Sequence, residues 1–237
     1  MQKKSSFGLV IPCYNEEKAI PDFLKELDRF IELYKVQCCE FELSILFVDN
    51  GSLDNSLLLL DSYCANKLAV KLCVEPNLGY GAALKTGFHH LHADYLGFVD
   101  LDQTYPLNDF IRLLNEATKH GFDMVMGGRL HYRSDISASR KTGNWLYSFL
   151  TRVFFKTPIV DMCTGMRVFR SGVKNQITNL KENDLSFSIE LTICALKRKW
   201  KINECPIDYR ERAGESKLSI VKDGLKFLVV LIRTALV

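Results

Sequence analysis

The chain has 237 residues, of which 47% are hydrophobic and 25% are charged, and its formal net charge is +3. These are ordinary proportions for a globular protein, and the length fits one large α/β domain. The small net charge, with basic residues scattered among acidic ones, argues against a nucleic-acid partner. The eight cysteines form no Cys-x-x-Cys pair and no signal peptide precedes the first strand, so we expect reduced cysteines and a cytoplasmic protein.

The first half of the chain alternates apolar runs of strand length with helical patterns, joined by short loops. In chain order, these patterns predict strand 7–12, helix 19–34, strand 43–48, helix 55–66, strand 70–74, helix 81–91, strand 95–99, helix 107–120 and strand 123–127. Such alternation predicts an α/β fold with a mostly parallel sheet flanked by helices. Ligands of these sheets bind outside the carboxyl ends of the strands.

Polar and glycine-rich clusters follow four of the predicted strands, at residues 13–17, 49–54, 77–81 and 100–102. Each cluster alone is compatible with a simple turn, because Asn, Asp, Gly and Ser are the usual turn-forming residues. The carboxyl ends of parallel strands meet at one edge of a sheet, however, so four clusters in register favour a binding site.

The last of these clusters contains two aspartates, Asp100 and Asp102, at the end of an apolar strand. Residues i and i+2 of a strand point to the same face, so both carboxylates can reach one divalent cation. The alternative is that the pair only caps the turn before Pro106. The first interpretation predicts a site that holds a divalent cation against a diphosphate.

The clusters also carry a resemblance to a known family over nearly the whole chain. The segments concerned are Val10-Ile-Pro-Cys-Tyr-Asn-Glu-Glu17, Val48-Asp-Asn-Gly-Ser-Leu-Asp54, 77–87, the Asp100/Asp102 pair, Gly127-Gly-Arg129, Thr164-Gly-Met-Arg167 and 206–218. Together they resemble the inverting family 2 glycosyltransferases of GT-A fold. Within that family they most resemble the branch of dolichol-phosphate mannosyltransferase and the bacterial polyprenyl-phosphate glycosyltransferases. We therefore expect a Rossmann-like GT-A domain over residues 1–215 and an amphipathic, interfacial C-terminal segment over 216–237.

The resemblance implies a nucleotide-sugar donor, of the GDP-mannose or UDP-glucose type, bound by the first loops. Asp49 would grip the nucleobase through charge-assisted hydrogen bonds. The other residues expected to contact the donor are Pro12, Tyr14, Asn15, Glu16, Asn50, Gly51, Asn77, Gly79, Gly81, Lys85 and Asp100. Gly79 and Gly81 would let the backbone approach the donor, whereas Lys85 either faces its phosphates or solvates a helix.

The resemblance also implies Mg²⁺ or Mn²⁺ bridging the donor diphosphate. Asp100 would lie near the ribose and the metal, and Asp102 would be a direct and catalytic ligand. Relatives often carry Gln two residues after the second aspartate, but Thr104 stands there in this chain and Gln103 lies one place earlier. Thr104 is therefore the candidate third ligand, and the identity of that ligand stays open.

The acceptor that the resemblance implies is a polyprenyl phosphate. A phosphomonoester has a second pKa of about 6, so it is largely dianionic at pH 7 and needs no general base. Arg129, Arg140, Arg212 and Lys217 would clamp this phosphate and align it for attack on the anomeric carbon, with inversion.

Two other functions stay open. A family 2 enzyme with a hydroxyl acceptor would use an acidic base, and Glu190 is the candidate; Glu190→Gln would then abolish activity, but would largely spare transfer to a phosphate. A non-catalytic nucleotide-sugar-binding subunit is the third interpretation. The resemblance also implies a departure at Asn50, which stands where many family members have a second Asp. The third interpretation would hold if the departures at Asn50 and Thr104 disable metal binding.

Two apolar segments suggest contact with a membrane or a small membrane partner. Trp145, Phe149 and Val153 share one face of a predicted helix, which fits either a membrane interface or a buried core. The apolar run at 225–237 has 13 residues, too few for the roughly 20 that cross a bilayer. We expect peripheral attachment at the cytoplasmic face of a membrane.

Overall fold

The computed structural model describes residues 4–129, 152, 155–210 and 220–236, and in the last helix the side chains of 226–234. The elements in chain order are β1 (Ser5–Cys13), α1 (Ile20–Gln37), β2 (Phe41–Asp49), α2 (Ser56–Cys64), β3 (Val70–Val74), α3 (Tyr80–His90), β4 (Tyr95–Phe98), α4 (Asp109–His120), β5 (Met124–Gly128), β6 (Arg167–Arg170), α5 (Lys174–Thr178), α6 (Phe187–Lys197), β7 (Ile202–Pro206) and α7 (Ile220–Leu236). All nine elements predicted before residue 128 are present.

The strands form one mixed sheet in the order β3-β2-β1-β4-β6-β5-β7. Only β6 runs antiparallel to its neighbours in this sheet, between β4 and β5. The carboxyl ends of the other strands therefore share one edge, and the start of β6 lies at that same edge. In this register Cys13, Asp49 and Val74 stand side by side at the ends of β1, β2 and β3. The mostly parallel α/β sheet predicted from the sequence is confirmed.

Helices cover both faces of the sheet because each presents an apolar stripe. In α1 the buried residues Phe23, Leu27, Phe30 and Tyr34 recur every three or four positions, which places them on one helical face. Phe30 packs against Phe110 of α4, with ring centroids 6.3 Å apart. Burial of each such ring contributes about 1.5–3 kcal/mol, so this layer fixes α1 and α4 on one face.

The opposite face carries α3, α6 and α7. Phe88 of α3 contacts Phe169 of β6 edge to face, with ring centroids 5.0 Å apart. The C-terminal helix α7 docks through buried Phe227, Val230 and Leu231 in this second core cluster. Helices thus cover both faces of the sheet. The carboxyl ends of the strands remain as the place where a ligand can bind.

Within the described ranges, no helix has the length and apolar character needed to cross a membrane. The helix predicted around Trp145 to Val153 lies outside the described residues, apart from Arg152. In α7 the outward side chains include Val229, 56% exposed, and Ile232, 44% exposed.

Candidate active site

The loops after β1 and β2 are joined by hydrogen bonds at the edge of the sheet. The Asn15 amide donates to Ser52 Oγ at 3.0 Å, and Asn15 Oδ1 accepts the Leu53 amide at 2.7 Å. One step further, the Glu16 amide donates to Ser56 Oγ at 2.8 Å. Asn15 has a φ of +50°, a conformation that Asn tolerates better than most residues. These bonds hold the two loops as one unit before any ligand binds.

Asp49 lies next to this unit and is 1% exposed. Its Oδ2 accepts the amides of Gly51 at 3.2 Å and Ser52 at 3.1 Å. Its Oδ1 is buried and has no hydrogen-bond partner among the described residues. A buried acceptor without a partner is costly, so an N–H group of a ligand would be stabilised there.

Asn50 connects this region to the next loop. Its Nδ2 donates to the carbonyls of Glu75 at 3.0 Å and Asn77 at 2.9 Å, and its Oδ1 accepts the Gly79 amide at 2.7 Å. The side chain is 4% exposed, and main-chain groups use both hydrogens of its amide. In the structure Asn50 therefore holds the backbone of the 75–79 loop, a role that the sequence pattern did not reveal. Contact between Asn50 and the donor stays a prediction.

Gly79 and Gly81 begin α3 and pack against a segment at residues 182–183. Gly79 has a φ of +143°, and a Cβ placed there would lie 2.1 Å from Asn183 O. A Cβ on Gly81 would lie 2.7 Å from Glu182 O. These glycines thus admit this chain's own backbone, and close approach of the donor to them stays a prediction.

Lys85, also on α3, binds the same segment. Its Nζ donates to the carbonyl of Leu180 at 3.0 Å, to that of Glu182 at 3.2 Å, and to the side chain of Asn183. Burial lowers the pKa of this ammonium, with nearby Glu190 and Glu182 acting in the opposite direction. From the sequence we expected Lys85 either to face the donor phosphates or to solvate a helix. In the structure its ammonium instead donates hydrogen bonds to three protein oxygens.

The paired aspartates each have a neighbour that orients the carboxylate. The Tyr80 hydroxyl donates to Asp100 Oδ1 at 2.7 Å. Asp102 Oδ1 accepts both the Thr104 amide at 3.1 Å and its hydroxyl at 2.6 Å. Thr104 is completely buried, so the structure supports it as the residue that positions Asp102 and gives no support to its role as third metal ligand. Gln103, with φ +63°, turns away to the Ala19 carbonyl at 2.9 Å.

The fit of these residues to Mg²⁺ or Mn²⁺ follows from their chemistry. In the part of the chain that the structure describes, no group of three or more His, Cys, Asp or Glu side chains could hold a metal ion by itself. Asp100 and Asp102 offer hard carboxylate oxygens. Mg²⁺ is commonly held by one or two carboxylates together with substrate phosphates and water. The two aspartates fit such a shared site.

On the other side of the edge, Arg129 follows β5 and forms a two-pronged ion pair with Asp161. Nε lies 2.7 Å from Oδ2, and Nη2 lies 2.8 Å from Oδ1. The guanidinium also lies over the ring of Tyr209, 5.4 Å from its centroid. Burial raises the pKa of Asp161, but Arg129 more than offsets it, so the net shift is downward. Arg129 is therefore already paired with a carboxylate, whereas Arg140, Arg212 and Lys217 lie outside the described residues.

Tyr105 and Asp161, which support the loop before β6, are residues that the sequence did not single out. Asp161 is fully buried, and the hydroxyl of buried Tyr105 accepts the Gly165 amide at 2.7 Å. Tyr105 and Tyr209 pack edge to face, with ring centroids 5.1 Å apart. Tyr80, Tyr105 and Asp161 belong to no local periodic pattern, so only the fold brings them together.

Arg167, at the start of β6, is fully buried and bonded to neutral acceptors. It donates to the carbonyls of Thr164, Met162 and Ser188 at 3.1, 3.1 and 2.9 Å, and to Thr192 Oγ1 at 2.8 Å. No carboxylate of the described residues contacts it. Burial lowers its pKa to about 10. Arg167 therefore joins β6, α6 and the loop before β6.

Glu190 is 5% exposed and lies in the first turn of α6. Its Oε1 accepts the Lys181 amide at 3.1 Å, and its Oε2 accepts the Glu182 amide at 2.7 Å. Both carboxylate oxygens therefore support the backbone of the 180–184 segment.

Pro12 and Tyr14 stand at the end of β1 on the rim, where Tyr14 is 36% exposed.

Comparison with known proteins agrees with this arrangement of the sheet. Residues 9–177 match the family described as Glycosyl transferase family 2. Because this match covers well over half of the chain, the protein belongs to glycosyltransferase family 2, and it is a glycosyltransferase.

Two relatives illustrate the range of the family. A dolichyl-phosphate hexose transferase of Haloferax volcanii is 29% identical over 221 residues, which cover 92% of this chain and 88% of that protein. A bactoprenol glucosyl transferase of Shigella phage SfX is 31% identical over 180 residues, which cover 75% of this chain. The matched region is 56% of the length of the phage protein.

A solved structure of similar fold is glucosyl-3-phosphoglycerate synthase from Mycobacterium tuberculosis, in complex with Mn²⁺, UDP and glucosyl-3-phosphoglycerate. The TM-score is 0.73 over 98% of this chain and 81% of that one, at 15% identity. At this identity the likeness concerns the fold, which is that of the GT-A glycosyltransferases.

Proposed function

We propose that the protein transfers a hexose from a nucleotide-sugar donor to a polyprenyl phosphate, with inversion and with the help of Mg²⁺ or Mn²⁺. The observation that carries this proposal is the placement of Asp49, Asp100 and Asp102 at the carboxyl ends of β2 and β4, beside hydrogen-bonded loops. The acceptor is supported by relatives named for dolichyl phosphate and bactoprenol.

The proposed donor carries uracil, as in UDP-glucose. Asp49 offers one buried oxygen that has no partner among the described residues, while its other oxygen accepts two backbone amides. Guanine presents two adjacent N–H donors that match both oxygens of a free carboxylate, so one donor would stay unpaired here. Adenine and cytosine place a ring-nitrogen lone pair where uracil has its single ring N–H, and a lone pair is repelled by a carboxylate.

Asp100 and Asp102 would hold the metal, with Tyr80 and Thr104 keeping the two carboxylates in place. When bound, Mg²⁺ or Mn²⁺ would act as a Lewis acid that neutralises charge on the leaving diphosphate. The carboxylates themselves need no proton for this role, because hard cations bind the ionised form.

The acceptor phosphate would be held by Arg140, Arg212 and Lys217, with Arg129 beside them. Arg129 is paired with Asp161, so in this proposal it shapes the site and adds hydrogen-bond donors more than free positive charge. A dianionic phosphate oxygen attacks without a general base. The protein would reach its lipid from the cytoplasmic face of a membrane, with the exposed apolar side chains Val229 and Ile232 of α7 nearby.

Transfer to a hydroxyl acceptor is less well supported, because both oxygens of Glu190 already accept backbone amides. A non-catalytic subunit is also less well supported, because the support of Asp100 and Asp102 by Tyr80 and Thr104 is intact.

The test is a transfer assay with UDP-glucose, GDP-mannose, a polyprenyl phosphate and Mn²⁺, with EDTA as a control and mass spectrometry of the lipid fraction. We expect a metal-dependent gain of one hexose from UDP-glucose. Unmodified lipid together with persistent donor hydrolysis would reject the acceptor. If neither transfer nor nucleotide binding occurs, the catalytic function itself is rejected.

A further inference from the structure

Asp100 is held between two parts of the chain that are distant in sequence. On one side the Tyr80 hydroxyl donates to its Oδ1 at 2.7 Å. On the other side lies Gly165, where an added Cβ would be 2.2 Å from Asp100 Oδ2. The rotamer of Asp100 is therefore limited by the tyrosine and by the backbone at Gly165, because there is no room on that side for another arrangement.

Tyr80 is the first residue of α3, so its position depends on how the start of this helix is held. The Ala82 amide donates to Asn183 O at 3.0 Å, which satisfies one of the free N–H groups at the helix start. The missing side chains of Gly79 and Gly81 let the 182–183 backbone approach this closely.

The 180–184 segment is fixed in turn by two charged side chains from opposite elements. Lys85 of α3 binds the carbonyls of Leu180 and Glu182. Glu190 of α6 binds the amides of Lys181 and Glu182. The charges therefore serve the main chain of this segment, and through it the start of α3.

We propose that Tyr80 is a positioning residue for Asp100, and that Lys85 and Glu190 act through the 180–184 segment to keep Tyr80 in place. This inference rests on the proposed metal-binding role of Asp100. The chain of contacts links α6 to the metal-binding edge.

The test is Tyr80→Phe, which removes one hydroxyl and keeps the ring. Tyr63→Phe is a matched control, because the Tyr63 hydroxyl also donates to an aspartate, Asp28, at 2.7 Å, between α2 and α1. Mn²⁺ binding is measured by electron paramagnetic resonance of the free ion, with and without UDP, and unfolding temperatures are recorded for both variants. We expect about tenfold weaker Mn²⁺ binding for Tyr80→Phe and no change for Tyr63→Phe.

In the transfer assay, raising Mn²⁺ should restore most of the kcat of Tyr80→Phe, since the ligand is displaced and not removed. Unchanged Mn²⁺ affinity would overturn the proposal, as would lost activity that excess Mn²⁺ does not restore. If the wild-type protein binds Mn²⁺ but modifies no polyprenyl phosphate, the proposed acceptor fails while the binding comparison still decides the role of Tyr80. If the wild-type protein binds no Mn²⁺ with UDP, the proposal is overturned.

Glu190→Gln tests the second part. Glutamine has one acceptor oxygen, so one of the two amides at 181 and 182 loses its partner. A smaller Mn²⁺ defect of the same kind supports the coupling. Abolished transfer with normal Mn²⁺ binding contradicts it and indicates a base, hence a hydroxyl acceptor.

Discussion

The two sides of the binding edge are built in different ways. On the side proposed for the donor, around β1 to β3, short polar side chains such as Asn15, Ser52 and Asn50 bind backbone groups of neighbouring loops. On the side proposed for the acceptor, around β5 to β7, the described structure relies on a buried ion pair, Arg129–Asp161, and on packed tyrosines. Hydrogen bonds to the main chain constrain the positions of the bonded atoms. A buried ion pair holds two opposite charges together, and loss of either partner leaves the other charge buried and unpaired.

This difference suggests that the donor side selects by hydrogen-bond pattern and the acceptor side by charge. Substitutions that keep the shape of a side chain but exchange hydrogen-bond donors and acceptors should therefore act on the side proposed for the nucleotide sugar. Substitutions that remove a charge should act most strongly between the two sides and on the acceptor side.

The largest effect is expected for Asp102→Asn, between the two sides. Asparagine keeps an oxygen that can accept the Thr104 hydroxyl and amide, so the local structure should survive, but a charged metal ligand is lost. We expect transfer to fall about a thousandfold. The control is Asp61→Asn, at an exposed site on α2, and both variants should change the unfolding temperature by a similar amount. Transfer within tenfold of wild type would exclude Asp102 as the metal ligand.

On the acceptor side, Asp161→Asn should destabilise the protein by about 3–5 kcal/mol at pH 7, because it leaves the Arg129 charge buried without its partner. The matched control is Asp22→Asn, which breaks the exposed pair with Lys25, both side chains being 68% exposed; it should cost less than about 1 kcal/mol. Urea unfolding measures both.

The effect of Asp161→Asn should depend on pH in one direction. The pKa of Asp161 in the folded protein lies below its ordinary value, so the ion pair stabilises the fold fully above the unfolded-state pKa of about 3.9. That stabilisation is lost as pH falls through the lower, folded-state pKa. The difference between wild type and variant should therefore shrink in strong acid, and a difference that grows below pH 4 would contradict the role of the pair.

On the donor side, Asp49→Asn should change base preference. Its single oxygen is expected to keep the Gly51 and Ser52 amides, which places NH₂ where Oδ1 stood. We expect UDP binding to weaken roughly tenfold to a hundredfold and CDP binding to improve, since cytosine has a lone pair at the position of the uracil N–H. Calorimetric titration with UDP, CDP and GDP measures this, and an equal loss for all three would refute the donor pattern.

The smallest expected effect is that of Asn50→Asp, which replaces the side-chain amide by a carboxylate. Here the new oxygen would face the carbonyls of Glu75 and Asn77, which now accept hydrogen bonds from Asn50. We expect a loss of about 1–2 kcal/mol at pH 7, from repulsion between acceptors, and a smaller loss at acid pH where the new carboxyl is protonated. Thermal unfolding at two pH values tests this, and a stabilised variant would refute it.

The donor half of the fold was predictable because its signals are local. Apolar runs gave β1 to β5, and turn residues at their ends marked Asp49, Asp100 and Asp102 at the edge. The strand β6 was missed because it spans only Arg167–Arg170, begins with a buried arginine and inserts antiparallel into the sheet. No local pattern encodes that insertion.

For the candidate site, the sequence pointed to residues that could contact a ligand directly, but not to the residues that support them. Thr104 and Glu190 were singled out for possible direct chemistry, and in the structure their oxygens serve protein groups. Tyr80 and Asp161 escaped notice because their roles depend on contacts with residues 20 and 32 positions away, Asp100 and Arg129. Supporting residues are set by the tertiary fold, and a single sequence carries little trace of them.

The buried guanidinium of Arg167 has a consequence for how this half of the protein folds. Its hydrogen-bond acceptors come from the loop before β6 and from α6, so the cost of removing the charge from water is offset only after both have assembled around it. In a partly folded chain with α6 detached, the charge of Arg167 would be buried in an apolar interior without its hydrogen-bond acceptors. Folding of β6 and α6 should therefore be a single cooperative event, and their amides should exchange with deuterium together.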